Sequence, residues 1–484
     1  MPARSASSRR RTGRASSKAG TFTVTFTATK KGEKNQTATI TLVTEALPAW
    51  ATGTFTGYVE GTRDACPYHG SVAMTVAANG KVSGKIALEG TNWTFSAVSF
   101  SRVEYVERAG GGVATNFVVE AVAKAGKAER TIELAVSACD GGSVETALSN
   151  AVADGTFGDG EVKMWRGMWK DKETATGAKA TIEKFMGVYT VSLADGTDYG
   201  CGYMSLTVGK DGSVKASGKL ADGTGVSAAS PLMYDEDAGW FVMLYAAPSV
   251  YKGGAFAAAV GFGDRLTPVM FAPQWTSRNP LATGEYGEGF VRESGVVCAY
   301  YDKLAKLNAY YETLRLETES PSLHYTYKET FLGDNNRKQT ETYLDYAEAA
   351  DTLSQDGTTV SVNEKGAFIV SKATKPVQDK TTKEWSYDGS NDGALTLSFT
   401  QATGIFKGSY TFWYDYVSAS DATTEKETFS HTSKKVSFEG IWVQGADSLE
   451  GFYLWDATGA YEDPKTGKEK SYKYKESHGV RLAP

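Results

Sequence analysis

From Thr21 the chain alternates apolar and polar side chains. Phe22, Val24, Phe26 and Ala28 take turns with Thr, and after a polar loop Ala38, Ile40 and Leu42 repeat the pattern. A period of two sends alternate residues to opposite faces of an extended strand. Residues 21–44 therefore predict a hairpin with one apolar face and one Thr-rich wet face. A lone hairpin is marginal in water, because independent stability takes about three strands or more. The pair reads as the end of something larger, joined by a linker at "EALPAWATG" (45–53) to the strands beyond it.

The same alternation recurs in copies. "GTFTGYV" (53–59) leads to "MTVAANGKVSGKIALEGT" (74–91), and "GVYTVSL" (187–193) leads to "LTVGKDGSVKASGKLADGT" (206–224). Near-constant spacing between the copies points to duplication of a whole unit. A third, weaker echo is "LTLSFTQATGIFKGSYTFWYDY" (395–416). Asn-Gly or Asp-Gly between alternating runs is a strong hairpin signal, read here as a tight turn whose two central residues both take positive φ. Thr403 is a poorer turn former, so the third copy is expected to use a different turn. A second Gly in each copy (84, 218, 408) sits in the outgoing strand, where a missing side chain permits a bulge or a close approach.

Two segments depart from the pattern. Leu304, Leu307, Tyr311 and Leu314 lie at near-helical spacing in 300–317, and "TETYLDYAEAADTL" (340–353) reads as a second helix candidate. A strand is expected at "GAFIVSKA" (366–373).

Composition agrees with strands. Hydrophobic residues make up 41% of the 484, Gly numbers 52 against 12 Pro, and Tyr and Phe are plentiful at 26 and 21. Such a chain exceeds one ordinary core. The net charge is −6, although the first 18 residues hold only basic charge. The rest is more acidic still and would repel phosphate backbones, which argues against nucleic acid as partner. The basic start, "MPARSASSRRRTGRASSKAG", has no apolar stretch of signal-peptide length. It is expected to be a disordered tail over 1–20. No run of about 18 apolar residues occurs, so no membrane-inserted helix is expected.

The cysteines are Cys66, Cys139, Cys201 and Cys298. None forms a CxxC pair, which removes the sequence case for zinc-ribbon or thioredoxin chemistry. One early and one late cysteine per copy favours Cys66–Cys139 and Cys201–Cys298 among the three pairings open to four cysteines. Four buried, unbridged thiols are the other reading.

Candidate chemistry is sparse. His69, His324, His431 and His478 are isolated, with no HExxH or related ligand spacing. No GxSxG elbow, P-loop or dinucleotide fingerprint appears. Asp235, Glu236 and Asp237 in "YDEDAGW" lack a full EF-hand loop and read as a solvated turn. No catalytic, cofactor or metal residue is assigned.

Aromatics are the best binding hint. "KMWRGMW" (163–169) places Trp165 and Trp169 four apart. In "SYTFWYDYV" (409–417), alternation puts Tyr410, Phe412, Tyr414 and Tyr416 on one face and Thr411, Trp413 and Asp415 on the other. Trp165, Trp169, Tyr410, Phe412, Trp413 and Tyr414 are the candidate ligand-stacking set, because an aromatic sheet face can stack sugar rings. The competing assignment for the same residues is barrel core or inter-domain packing.

Residues "AGTFTVTFTATKKGEKNQTATITL" resemble the last two strands of bacterial Ig-like (putative-Ig or cadherin-like) domains. The segments "LPAWATGTFTGYV", "GSVAMTVAANGKVSGKI", "MGVYTVSLADGTDYGCGYMSLTVGKDGSVKASGKLADGT", "LTLSFTQATGIFKGSYTFWYDY" and "FEGIWVQGADSLEGFYLW" resemble repeat-bearing extracellular proteins of Verrucomicrobia, Lentisphaerae and related bacteria. The resemblance implies a cell-surface or secreted location, and an N-terminally truncated chain. It implies no catalytic residues.

The expected fold class is all-β: tandem antiparallel meanders or β-barrel-like units, with one or two short helices. The hairpin remnant covers 21–46, β-unit 1 covers 52–180 and β-unit 2 covers 185–310. A connection with short helices covers 311–365, and 366–484 is a third β-unit or completes the second. The expected function is non-catalytic adhesion or glycan binding, with a glycan or cell-surface partner and no cofactor. A structural spacer, or a carbohydrate-active enzyme, are the alternatives.

Overall fold

The computed structural model describes residues 20–63, 66–107, 112–139, 143–170, 174–194, 200–263, 266–268, 273–277, 290–318, 320–350, 358–387, 390–462, 467 and 469–484. The basic tail expected over 1–20 lies, but for its last residue, outside them. The chain is all-β and antiparallel almost throughout. Among the described residues, helix is confined to Val144–Ser149, Ala175–Ile182 and short 3-10 turns. Two compact units divide the chain: residues to 61 with 72–86 and 92–167, and residues 62–71 and 87–91 with 168–484.

The first unit is built on an eight-stranded antiparallel barrel. Its strands run in the order Thr91–Ala97, Val82–Leu88, Cys66–Val76, Gly53–Arg63, Gly160–Arg166, Ala151–Phe157, Ala128–Ala138 and Val113–Ala125, closing where Thr94 pairs with Lys124. Alternation fills the interior: Val72, Met74 and Val76, then Val82 and Ile86, Trp93 and Phe95, and Ile132, Leu134 and Val136 are all buried. Arg166 is also buried, its Nε donating to Thr52 O at 2.6 Å and its Nη1 to Asn150 Oδ1 at 3.1 Å. The hairpin of Gly20–Ala28 with Gln36–Thr44 pairs in register from Gly20/Thr44 to Ala28/Gln36. Its apolar side stays open, with Phe26 56% and Ile40 50% exposed.

The second unit repeats half of that barrel. Its five-stranded sheet runs Gly225–Pro231, Ser213–Lys219, Gly202–Val208, Gly187–Ala194, Gly295–Tyr300. This is the order of the first five barrel strands. In both copies the opening strand pairs antiparallel with the closing one, Gly53–Arg63 with Gly160–Arg166 and Gly187–Ala194 with Gly295–Tyr300. The remainder of the copy forms a separate sheet on Gly239–Ala246 and Phe256–Phe262.

A ten-stranded sheet completes the unit. Its spine is the long hairpin Ile405–Asp421/Lys426–Trp442, followed by Leu449–Glu462, Glu469–Ala483 and Thr313–Thr318. Leu323–Leu332 joins the spine by a parallel pairing, the one such among the described residues. The sheet encloses a core of Tyr410, Phe412, Tyr414, Phe438, Trp442, Tyr453 and Trp455.

Two expectations fail here. Residues 300–317 hold only a 3-10 turn at Leu307–Ala309 and then the strand Thr313–Thr318. Leu307, Tyr311 and Leu314 are buried as the spacing implied, but Leu304 is 88% exposed, and pairing with Glu469–Ala483 on one side and Thr359–Val362 on the other overrides helix. Residues 338–347 form a strand, because "TETYLDY" also fits a period of two and pairs with Leu323–Leu332. The 311–365 connection thus supplies strands of the large sheet.

The turns also differ from the two-residue type. At 77–81, the Gly80 N–H donates to Ala77 O at 2.8 Å and the Ala77 N–H to Lys81 O at 2.9 Å. The same pair of bonds recurs at 209–213, 220–224, 333–337 and 363–367. In each, only the fourth residue is left-handed: Gly80, Gly212, Gly223, Asn336 and Gly366 have φ of 78°, 72°, 81°, 59° and 78°. This is the three-residue loop, a type I turn closed by a left-handed bulge residue. Asn79 and Asp211 stay at ordinary φ, and each side chain accepts the N–H two residues on. The third echo does differ: both Thr403 and Gly404 N–H donate to Thr400 O.

Candidate functional site

The structure splits the aromatic set. Trp165 is buried in the first unit against Tyr58, with the Lys163 ammonium 5.0 Å from its ring centre. Trp169 belongs to the second unit, donates to Leu232 O at 2.7 Å and covers the turn glycine Gly212. Tyr410, Phe412 and Tyr414 are buried core of the ten-stranded sheet. These five are corrected from ligand-stacking candidates to packing. Alternation had sorted 409–417 into two faces, and the richer aromatic face went inward, where burial of large rings is most favourable.

Trp413 is the exception. It lies on the opposite face with Asp415, and cross-strand register sets His431 directly against Asp415. His431 Nδ1 lies 2.5 Å from Asp415 Oδ1. The imidazole stacks on Trp413 at 4.9 Å and 13°, as diagonal neighbours on one sheet face do. A second indole, Trp385, stacks on the same imidazole at 3.6 Å and 11°. The Tyr387 hydroxyl donates to Asp415 Oδ2 at 2.9 Å. Burial, and then the bond to Asp415, push the Tyr387 phenol up, so it stays a donor. Asp415 is 37% exposed, while His431 Nε2 is enclosed. Trp385 and Tyr387 escaped the sequence reading, and His431 read as isolated, because nothing in one dimension brings 385–387, 413–415 and 431 together.

The duplicated hairpins carry a second feature. In the first unit an open depression of about 720 Å³ lies over Ala73, Thr75, Ser83, Lys85, Thr94 and Lys124. In the second unit one of about 600 Å³ lies over Ser205, Thr207, Lys215, Ser217 and Ser227. The shared turn geometry aligns Ala73 with Ser205, Thr75 with Thr207, Ser83 with Lys215 and Lys85 with Ser217. Each copy thus presents small side chains, hydroxyls and a lysine on the same outward face.

The carboxylates Glu439 and Glu450 are both engaged. Glu439 pairs with Lys219, lies 3.6 Å from Lys407 and accepts the Tyr203 hydroxyl at 2.8 Å. Glu450 accepts Ser192 Oγ at 3.1 Å and lies 3.6 Å from Cys201 Sγ. They tie the five-stranded sheet to the large one.

The pairing Cys201–Cys298 is not formed. Cys298 is a buried, unbridged thiol opposite Val191, itself opposite Met204. Cys201 is thus two strands away and three residues along. Strands about 4.8 Å apart place the pair beyond the roughly 7 Å Cα limit for a bridge. The Cys66 side chain lies outside the described residues, and with it the Cys66–Cys139 pairing. His69, His324 and His478 do not join His431. Asp235 accepts the N–H groups of Asp237 and Ala238, a plain turn. Among the described residues no group of three or more His, Cys, Asp or Glu is placed to hold a metal. No protein-family model matches the chain, and no curated protein matches it.

Proposed function

We propose that the protein is a non-catalytic binding module of the cell exterior that holds extended glycans. The observation that carries this reading is the recurrence of one hydroxyl-lined depression on both copies of the duplicated hairpin. An open, polar, shallow surface exchanges hydrogen bonds with a hydroxylated polymer and leaves it free to run on. Two such surfaces on one chain raise avidity for a polymer with repeating units. The location follows from the resemblance of the hairpins to repeat-bearing extracellular proteins.

The test is a polysaccharide array probed with the full chain and with variants that fill a depression, Thr75→Tyr and Thr207→Tyr. The expected result is binding to at least one polysaccharide, weakened about tenfold or more by either change and lost in the double variant, as avidity predicts. Binding unchanged by both substitutions, or no binding on the array, overturns the reading in favour of a structural spacer.

A further inference from the structure

Trp385 and Tyr387 stand two residues apart on an extended segment, so both side chains point the same way. Toward the long hairpin they present a flat apolar ring on His431 and an O–H donor to Asp415. One face of a pyranose offers the same two things, a patch of C–H groups and hydroxyls at its rim. The receiving side is already assembled: the His431 ring, held parallel to Trp413, beside a half-exposed carboxylate. We propose that His431, Trp413 and Asp415 form a sugar-ring slot, and that Trp385 and Tyr387 are its built-in occupant, which a pyranose displaces.

The occupant rides on a strap built to move as a piece. Among the described residues, Val377–Gln378 pairs only with Trp385–Ser386, in a two-stranded sheet that joins no other. Its tip is closed by the Asp379 carboxylate, which accepts the N–H groups of Thr381 and Thr382. Its base is pinned. Asn391 and Asp392 are buried, Thr374 Oγ1 donates to Asp392 Oδ1 at 2.8 Å, and Asn391 Nδ2 donates to Ser371 O at 2.7 Å. An element with few buried apolar contacts and a self-contained ladder opens at low cost compared with the sheet beneath it.

The slot outlasts the strap's departure. Trp413 Nε1 donates to Asp392 O at the fixed base. Asp415 and His431 are direct partners within seventeen-residue strands, so their geometry belongs to the long hairpin. Lifting Tyr387 frees Asp415 Oδ2 to accept a ligand hydroxyl. An occupied slot lowers apparent affinity by the fraction of time it stands open. Deleting the occupant should therefore raise sugar affinity, the reverse of deleting a ligand-contacting residue.

The slot is separate from the hairpin depressions, and its test uses single sugars. Methyl glycosides of glucose, galactose, mannose and N-acetylglucosamine are titrated by NMR into the full chain and into Trp385→Ala, Tyr387→Phe and Trp385→Ala/Trp413→Ala. The expectation is a gain of about tenfold or more in Trp385→Ala for at least one glycoside, since occupancy divides apparent affinity. A smaller gain is expected in Tyr387→Phe, and loss in the double variant. No gain with any of the four overturns the proposal, as does a gain that survives removal of Trp413. Hydrogen exchange on the unmodified chain decides independently of variant folding. The amides of 377–386 should exchange about 100-fold faster than those of 406–414, by sub-global opening; equal rates overturn the strap. Loss of polymer binding through Thr75 and Thr207 with an intact Trp385→Ala effect would separate the two sites.

Discussion

Gly218 and Gly84 occupy the same motif and do different work. The shared turn places Ala216, not Gly218, at the position of Gly84, and Gly218 two residues further along. A methyl at Gly84 would run into the tip of the Phe95 side chain and come within 2.9 Å of Ala73 O, so most of its clash is with a side chain. A methyl at Gly218 would overlap the Tyr203 carbonyl and approach Met204 Cα to 2.7 Å, and backbone held in a ladder cannot yield. Urea melts should therefore place Gly84→Ala near 1 kcal/mol and Gly218→Ala near 3 kcal/mol or beyond, roughly the two ends of the overpacking range. Equal costs would contradict the contact geometry. Asp421 offers a charge test. The Thr423 hydroxyl and Lys338 hold its carboxyl well below the usual carboxylate range. A depressed folded pKa means its contribution is full above the ordinary Asp value of about 4 and fades as pH falls below it. Asp421→Asn should therefore be less stable than the parent at about pH 7, with the gap shrinking toward about pH 2. Burial pushes the Cys298 thiol up. Alkylation mapping should find Cys298 unreactive in the folded chain and reactive in urea; native labelling would refute its burial.

At the scale of elements, the recurring unit is the turn as much as the strand. Five loops place one left-handed residue at the fourth position, four times Gly and once Asn336. At Gly80 the only neighbour of an added Cβ is Leu47, at 3.4 Å, so Gly80→Ala should cost about 1 kcal/mol of left-handed strain. Gly212→Ala carries the same strain and drives into Trp169, so it should cost distinctly more. Asn336→Gly should be neutral or mildly stabilising. Thermal melts of the three variants check the order, and a Gly212→Ala as mild as Gly80→Ala would show that Trp169 does not pack on the turn. Asn-Gly and Asp-Gly steps announced three of these five hairpins, at Gly80, Gly212 and Gly223, but the step alone did not distinguish a two-residue loop from a three-residue one. That choice rests on which carbonyl accepts the closing N–H. The misread helices have a related cause. "TETYLDYAEAADTL" satisfies a short helical count and a strand alternation at once, and only a partner strand decides between them.

Across the whole molecule, sheets close on strands far apart in sequence. Gly53–Arg63 waits for Gly160–Arg166, Gly187–Ala194 for Gly295–Tyr300, and Thr313–Thr318 for Glu469–Ala483. Loop-closure entropy comes due before such pairings form, so folding should be slow. Refolding followed by tryptophan fluorescence should have its main phase at milliseconds to seconds or longer, the all-β range. A microsecond main phase would be incompatible with this topology.

Local pattern was enough for the class of the fold, the N-terminal and repeated hairpins, and the duplication. These rest on local quantities: side-chain alternation, turn residues and the spacing of copies. It also sorted residues 409–417 correctly into two faces. Which face is core was beyond it, because inside and outside are properties of the neighbours that cover a strand. For the same reason it left five of the six aromatics open between ligand stacking and core packing, and could not separate Cys201 from Cys298, whose distance is set by two intervening ladders. The stack of Trp385, Trp413 and His431 over Asp415 exists only in three dimensions. It is assembled by one register match, Asp415 to His431, and by a strap that returns from elsewhere in the chain to lie on it.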